Sequence, residues 1–255
     1  MIILSPTNDK IKYIKKLAKR SFREKSGEFI IEGKRSVLDA IENGAEISYV
    51  ICREDTDFAF PDGVKVFATD KKTYAEITDT ESPQDMLAVA KAKCATIEEI
   101  LKNAPSLIVY CDRLQDPGNL GTIVRTADAR GDAAVILSEG CVDLFNSKTV
   151  RSTMSSVFNL PIAKDAVTEA IFPEFKKAGY KTVAGALSDK STDLYETDLS
   201  GKCVIIVGNE GNGVCDYILE NADILTIIPM NGKAESLNAS VSAGIMMYEH
   251  LRKSR

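Results

Sequence analysis

From residue 106 onward the chain is divided into short, unbroken apolar runs, LIVYC, AAVILS, YKTVAGAL, KCVIIVG and ILTIIP. Between most of them lie stretches with apolar residues at helical spacing: NLGTIVRTADARG, TEAIFPEFKKAG, VCDYILENA and a last helix that begins near AGIMMYEHL. Strands that alternate with helices specify a parallel sheet covered by helices on both faces, because only a crossover helix returns the chain for the next parallel strand. This restricts the second half of the chain to an α/β fold.

The first part reads differently. Residues 8–20 place Ile11, Ile14 and Leu17 at helical spacing among lysines, with Ser5 and Pro6 as the start, so an amphipathic basic helix is expected there. An extended FIIEG, a helix SVLDAIENG, a strand SYVICRE, a turn PDGVKVFAT, a helix near KKTYAEIT and a strand DMLAVAKA follow. The composition then shifts through TIEEILKNAP. With 255 residues, 44% of them hydrophobic, two modest cores are expected: a smaller α/β domain over residues 1–95 and a larger domain over 105–255.

The net charge of −5 hides an uneven distribution. Residues 1–35 hold ten Lys or Arg against four acids, and Lys12, Lys15, Lys16, Lys19 and Arg20 cluster on or beside the first helix. That surplus marks a candidate phosphate-binding face, although an ordinary solvated helix looks the same in sequence. The six cysteines form no CxxC pair and accompany a single histidine, so they read as reduced core residues and no metal site is expected. The longest apolar runs fall far short of the roughly 18 residues of a membrane span, and a cytoplasmic protein with no membrane partner is expected.

Three segments place glycines and polar residues directly after a strand, where ligands of open parallel sheets collect. In DRLQDPGNLGTIVRTADARG (112–131), Pro117 and Gly118 break the chain, Asn119 suits an N-cap, and Arg125 and Arg130 project from the helix. A capped surface helix accounts for all of this without function. In VIIVGNEGNGV (204–214) the glycines match neither the dinucleotide fingerprint nor a P-loop, yet Glu210 stands between glycines with no apolar face to occupy. In IIPMNGKAESLNASVSAG (227–244), Ser236 is placed to cap the last helix, which would leave Asn238 and Ser240 inside its first turns, where they compete with helix formation.

In this order and with these separations, PGNLGTIVRTADARG, VGNEGNGV and IPMNGKAESLNASVSAG resemble the three signature motifs of the SpoU (TrmH-like) RNA ribose 2′-O-methyltransferases. The part in front, with FIIEGKRSVLDAI and SPQDMLAV, looks like the substrate-binding domain of rRNA-modifying members. The resemblance implies a SPOUT fold, a parallel sheet with a trefoil knot that holds S-adenosylmethionine, in a homodimer that acts on RNA. It favours ribosomal over transfer RNA because of the extra domain. It matches Gly208, Ile228, Met230 and Leu237 to cofactor-binding positions, Asn119 and Arg125 to a catalytic pair, and Glu210, Ser236 and Asn238 to the methyl-transfer site. Ser155 stands where many relatives have glycine, and Asp85 replaces the glycine usual after a proline and glutamine.

Methyl transfer to a hydroxyl requires alignment and removal of a proton. His250 lies far along the last helix and reads as bland surface, and the Arg125 guanidinium is a poor proton acceptor. Arg125 is therefore expected to bind phosphate and stabilise an alkoxide, with Glu210 or water on the proton's path. A non-catalytic RNA-binding or ribosome-assembly protein on the same fold is the competing reading. The homodimer is expected to join apolar faces of the first-motif helix and the last helix, because IMMYEHL carries more bulk than one sheet needs.

Overall fold

The computed structural model describes residues 2–80 and 85–254, so Ser82–Gln84 of the SPQDMLAV stretch lie outside the described residues. The chain divides into two compact units, Met1–Lys93 with Asp143–Phe158, and Cys94–Val142 with Asn159–Arg255.

The first unit runs β1 (Ile2–Ile3), α1 (Asp9–Leu17), α2 (Arg20–Ser26), β2 (Glu28–Glu32), α3 (Lys34–Glu42), β3 (Ile47–Arg53), β4 (Val66–Thr69), α4 (Lys71–Glu76) and β5 (Met86–Lys91). Its mixed sheet has the order β1-β4-β3-β5-β2. The amphipathic helix expected over 8–20 is α1, which stops at Leu17, and a second helix starts at Arg20. Asn8, not Ser5, opens α1, its side chain accepting from Lys10 N at 2.9 Å, and the chain turns extended at Lys19. Arg23 explains the break: its guanidinium reaches back to the carbonyls of Leu17 and Ala18 at 2.7 and 2.9 Å, taking the acceptors that a longer helix would have used. The PDGVKVFAT turn holds strand β4, which pairs in parallel with both β1 and β3.

The second unit begins with α5 (Ile97–Asn103), opened by a capping box between Thr96 and Glu99 in the TIEEILKNAP stretch. It continues with β6 (Leu107–Cys111), α6 (Pro117–Arg130) and β7 (Ala133–Ser138). The chain then contributes Asp143–Phe158, including α7 (Ser147–Ser152), to the first unit. There Phe145 and Phe158 lie 4.6 and 6.4 Å, centroid to centroid, from Phe29, and Asp143 forms a buried ion pair with Arg23 at 2.5 Å. Ser155 sits in the left-handed region (φ +75°), the conformation that favours glycine, and donates to Asp39 at 2.7 Å.

The second unit resumes with β8 (Ile162–Ala166), α8 (Thr168–Lys177), β9 (Lys181–Gly185), β10 (Thr192–Asp193), β11 (Cys203–Val207), α9 (Asp216–Asn221), β12 (Ile224–Ile227) and α10 (Ala239–Lys253). All seven strands are parallel, in the order β10-β12-β9-β11-β6-β7-β8. Every residue of β6, β7 and β11 is buried, as the unbroken apolar runs require. This is the expected α/β parallel-sheet architecture. The loops after β6, β9, β11 and β12 gather at the carboxyl ends of adjacent strands, where such sheets hold their ligands. No helix among the described residues is long and apolar enough to cross a membrane.

Candidate active site at the carboxyl ends of the parallel strands

The loops after β9, β11 and β12 and the start of α10 enclose a cavity of about 600 Å³, within the roughly 300–1,000 Å³ typical of small-molecule sites. Gly208, Met230, Ile228 and Leu237 line it, as do Glu210, Ser236 and Asn238, whereas Asn119 and Arg125 do not. Leu187, Leu219, Thr226 and Met246 also line it. Sequence reasoning missed them, although Leu187 follows β9 at a strand's carboxyl end and that signal was present.

The cavity wall after β11 is a turn closed on itself. Asn209 and Gly213 exchange backbone hydrogen bonds at 3.0 and 2.9 Å, and the Asn209 side-chain oxygen accepts from the amides of Gly211 and Asn212. A Cβ on Gly208 would stand 2.2 Å from the Gly213 carbonyl carbon and 2.3 Å from Val214 N. Glycine is therefore required here by the turn's own backbone.

The first motif is fastened to this turn. Asp116, not Asn119, caps α6: its side chain accepts from Asn119 N at 2.8 Å, and Pro117 takes the first helical position, where its missing N–H costs nothing. A Cβ on Gly118 would lie 2.9 Å from that capping oxygen. Glu210 accepts from three N–H groups of the first motif, Gln115 N at 3.1 Å, Asp116 N at 3.0 Å and Asn119 Nδ2 at 2.9 Å. Desolvation pulls the Glu210 pKa upward, but the bonds from Asn119 and from the backbone outweigh it and the pKa is lowered. The residue that had no structural explanation in the sequence thus organises the neighbouring loop.

The third motif meets the same asparagine. Asn238 donates through Nδ2 to Asn119 Oδ1 at 2.9 Å, while its own Oδ1 accepts from the amides of Ser240 and Val241. Asn238 is the N-cap of α10, displacing the expected Ser236, and Ser240 in the first turn donates its hydroxyl to Asn238 at 2.6 Å. An asparagine at this position favours the helix, so no propensity is sacrificed there. With Nδ2 on Glu210 and Oδ1 on Asn238, the buried Asn119 amide has one orientation and joins all three motifs.

Residues 106–248 match the SpoU rRNA Methylase family and residues 8–88 the MRM3-like substrate binding domain. The 23S rRNA (guanosine(2553)-2′-O)-methyltransferase RlmP of Bacillus subtilis is 36% identical over 252 residues, 98% of each chain. The chain belongs to the SpoU rRNA methylase family. Among solved SpoU-type structures, the AdoMet-bound rRNA methyltransferase from Sinorhizobium meliloti superposes with a TM-score of 0.87 at 32% identity, covering 98% of this chain and 97% of that one. The SpoU methyltransferase AviRb from Streptomyces viridochromogenes, in complex with AdoMet, gives 0.88 at 25% identity, covering 97% and 100%.

Arg125 is exposed on α6 and makes no recorded hydrogen bond or ion pair among the described residues. Arg130, expected to project from that helix, is only 8% exposed. His250, expected at the surface, is completely buried between Arg130 and the Gly201 carbonyl. Lys12, Lys15, Lys16, Lys19 and Arg20 are exposed, but Lys12, Lys15 and Arg20 are paired with Asp9, Glu76 and Glu24. Met246 and Met247, part of the apolar excess expected at an interface, are buried in this chain; Val241 and Tyr248 are the large apolar residues that α10 exposes, each by about half.

Proposed function

We propose that this methyltransferase transfers a methyl group from S-adenosylmethionine to the 2′-hydroxyl of a guanosine ribose in 23S rRNA, as the name of its Bacillus subtilis relative describes for that protein. The observation that carries this reading is the Asn119 side chain, which holds the first motif's loop to Glu210 and the third motif's helix to Asn238 at the rim of a small-molecule cavity. The cavity's mixed lining suits the cofactor: apolar Leu187, Ile228, Met230 and Leu237 can cover an adenine or a methionine chain, and the backbone about Gly208 offers polar groups. Bound there, S-adenosylmethionine would supply an electrophilic methyl group on a sulfonium.

The chain's own residues would align the ribose and manage its proton. Glu210 is a poor base, since three N–H donors already hold its carboxylate in the ionised form. It acts instead through Asn119, as a positioning residue. Arg125, unengaged and permanently charged, binds the phosphate beside the target ribose and stabilises the developing alkoxide while the proton leaves to water. Ser236 and Asn238 contact the ribose from the cavity wall. Lys12, Lys15, Lys16, Lys19 and Arg20 contribute phosphate contacts, although three of these five cations must first leave an acidic neighbour.

The enzyme acts as a homodimer through the exposed face of α10, where Val241 and Tyr248 stand clear of their own core. The exposed residues of α6, Thr122, Arg125 and Ala129, include no large apolar side chain, so they add little apolar area to that interface. A sedimentation measurement at micromolar concentration that gave only monomer would overturn the dimer. The activity itself is tested with labelled S-adenosylmethionine and large ribosomal subunits from cells lacking the gene, followed by mapping of alkali-resistant ribose positions in 23S rRNA. Cofactor binding without methylation of any rRNA ribose would favour the non-catalytic alternative.

A further inference from the structure

Arg130 and His250 form a buried pair at the far ends of the two helices that carry the site. Helices α6 and α10 pack side by side and run the same way: Asn119 meets Asn238 where both begin, and Arg130 meets His250 where both end. At 1.5 Å per residue the two pairs are separated by about 16–18 Å of helix. Between them Gly244 faces Thr126, whose methyl carbon lies 3.8 Å from where a Cβ would stand. At this point of the contact the glycine has no side chain of its own to interlock with α6.

The hydrogen bonds fix the state of the imidazole. Nε2 lies 3.0 Å from the Gly201 carbonyl, which can only accept, so Nε2 carries the proton. Nδ1 is then bare and accepts from the Arg130 guanidinium at 2.8 Å. Arg130 spends its other terminal nitrogen on Ser106 Oγ and the carbonyls of Gly131 and Asp132, so its direction is set by four partners. Neutral His250 is the completing acceptor.

We propose that the Arg130–His250 bond is a latch that sets the register of α10 on α6, and that His250 is thereby a positioning residue for methyl transfer, keeping Asn238 and Ser240 against Asn119 at the opposite ends of the same helices. This rests on the reaction proposed for that site. The register also places Ser242 and Met246 of α10 in the cavity wall. Protonating Nδ1 removes the acceptor that Arg130 uses and sets two cations against each other. The groups facing the ring are Arg130 from α6, Asp132 from the turn after it and the Gly201 carbonyl before β11, with the Cys203 thiol beside Arg130. On α10 itself Glu249 is held by Arg252 and Lys253. Burial is the main reason that the imidazole's pKa is lowered below its usual 6.5, with the Arg130 charge adding to it against Gly201 and Asp132. The latch is closed at neutral pH and opens in acid.

His250→Asn separates the latch from a merely structural histidine, because its amide oxygen offers Arg130 an acceptor at the Nδ1 position and cannot be protonated. Methyl transfer is measured as kcat and RNA KM from about pH 8 down into acid as far as both proteins stay folded, each protein normalised to its own value at the upper end. The wild type is expected to lose at least fivefold more kcat over this range than His250→Asn, with RNA KM changing in parallel in both. His250→Phe, which keeps a ring but no acceptor, is expected to lower kcat about tenfold at the upper end while S-adenosylmethionine affinity stays within about twofold. Superimposable wild-type and His250→Asn profiles would overturn the proposal even if His250→Phe failed to fold. The Asn119 and Asn238 side-chain amide resonances give a second readout: they should shift with the imidazole titration in the wild type and stay fixed in His250→Asn. A wild type that methylates no rRNA would defeat the functional reading, and the amide titration would still decide the latch: resonances that ignore the imidazole would overturn it.

Discussion

Two loops wall the same cavity and are built in opposite ways. The loop after β11 is knit before any ligand arrives: Asn209 closes its turn and also donates to the Arg113 carbonyl at 2.9 Å, and Glu210 fastens it to the first motif. The loop before α10 is open, with residues 231–238 exposed and, among the described residues, no hydrogen bond from Pro229 to Leu237. The contrast separates two kinds of binding energy. A preformed wall loses little freedom when the ligand binds, whereas the open loop must be ordered by it, and each immobilised side chain costs about 0.5–1.5 kcal/mol. Arg125, exposed and without a hydrogen-bond or ion-pair partner among the described residues, belongs with the open elements; Asn119 belongs with the knit ones.

Substitutions can break this contrast, and the largest effect is expected in the knit wall. Gly208→Ala would force its methyl carbon into the backbone of Gly213 and Val214. It should weaken S-adenosylmethionine binding at least about 100-fold and lower the melting temperature as well, read by calorimetry and thermal denaturation. Tight binding by Gly208→Ala would mean that the turn is as adaptable as its neighbour. Arg125→Ala should cut methyl transfer by about 100-fold or more, a loss of about 2.7 kcal/mol of transition-state stabilisation, while cofactor affinity stays nearly intact. Arg125→Lys should rescue little, since an ammonium does not reproduce the planar fork. Near wild-type single-turnover rates in Arg125→Ala would remove it from the site.

Glu210→Gln sharpens the comparison from inside the network. An amide has one acceptor oxygen where the carboxylate has two, so an NH₂ group must face the amides of Gln115 or Asp116 or the Asn119 side chain. About tenfold lower kcat is expected, with little change at higher pH, because the native carboxylate is already ionised there. Its pKa is lowered in the folded protein, so the stability it contributes is present above the unfolded carboxylate range and is lost as pH falls through the folded value. Urea melts of Glu210→Gln and wild type should therefore converge in acid, and a constant difference would argue against this role. The smallest effect is expected in the open loop, where Leu237→Ala should raise the cofactor dissociation constant by about three- to tenfold and leave the melt of the free protein unchanged. A shift in that melt would show that the loop is held by contacts of its own.

The sequence disclosed the chemistry-bearing loops better than the local geometry within them. Apolar runs without alternation mark β6, β7 and β11, since these strands are covered on both faces. The cap of α6 was legible in DPGN once Pro117 is taken as the first helical residue, which makes Asp116 the cap. Asn238 and Ser236 both suit a cap, and only the choice of amide partners separates them. Glu210 had no local purpose because its partners lie about 95 residues earlier in the chain. The burial of His250 is long-range in the same way: it depends on an arginine from another helix, and no periodicity records that pairing. Strand order, with β9 between β12 and β11, is likewise a long-range property.

The excursion of Asp143–Phe158 into the first unit has a consequence for how the chain is made. Phe145 and Phe158 pack on Phe29, and Asp143 pairs with the buried Arg23, so the first unit lacks these partners until residues 143–158 have left the ribosome. At translation speeds of about 5–20 residues per second, that is a wait of several seconds after residue 93 has emerged. Vectorial synthesis, which normally lets the amino-terminal part of a protein finish folding first, here delivers its last pieces from within the strands of the next unit.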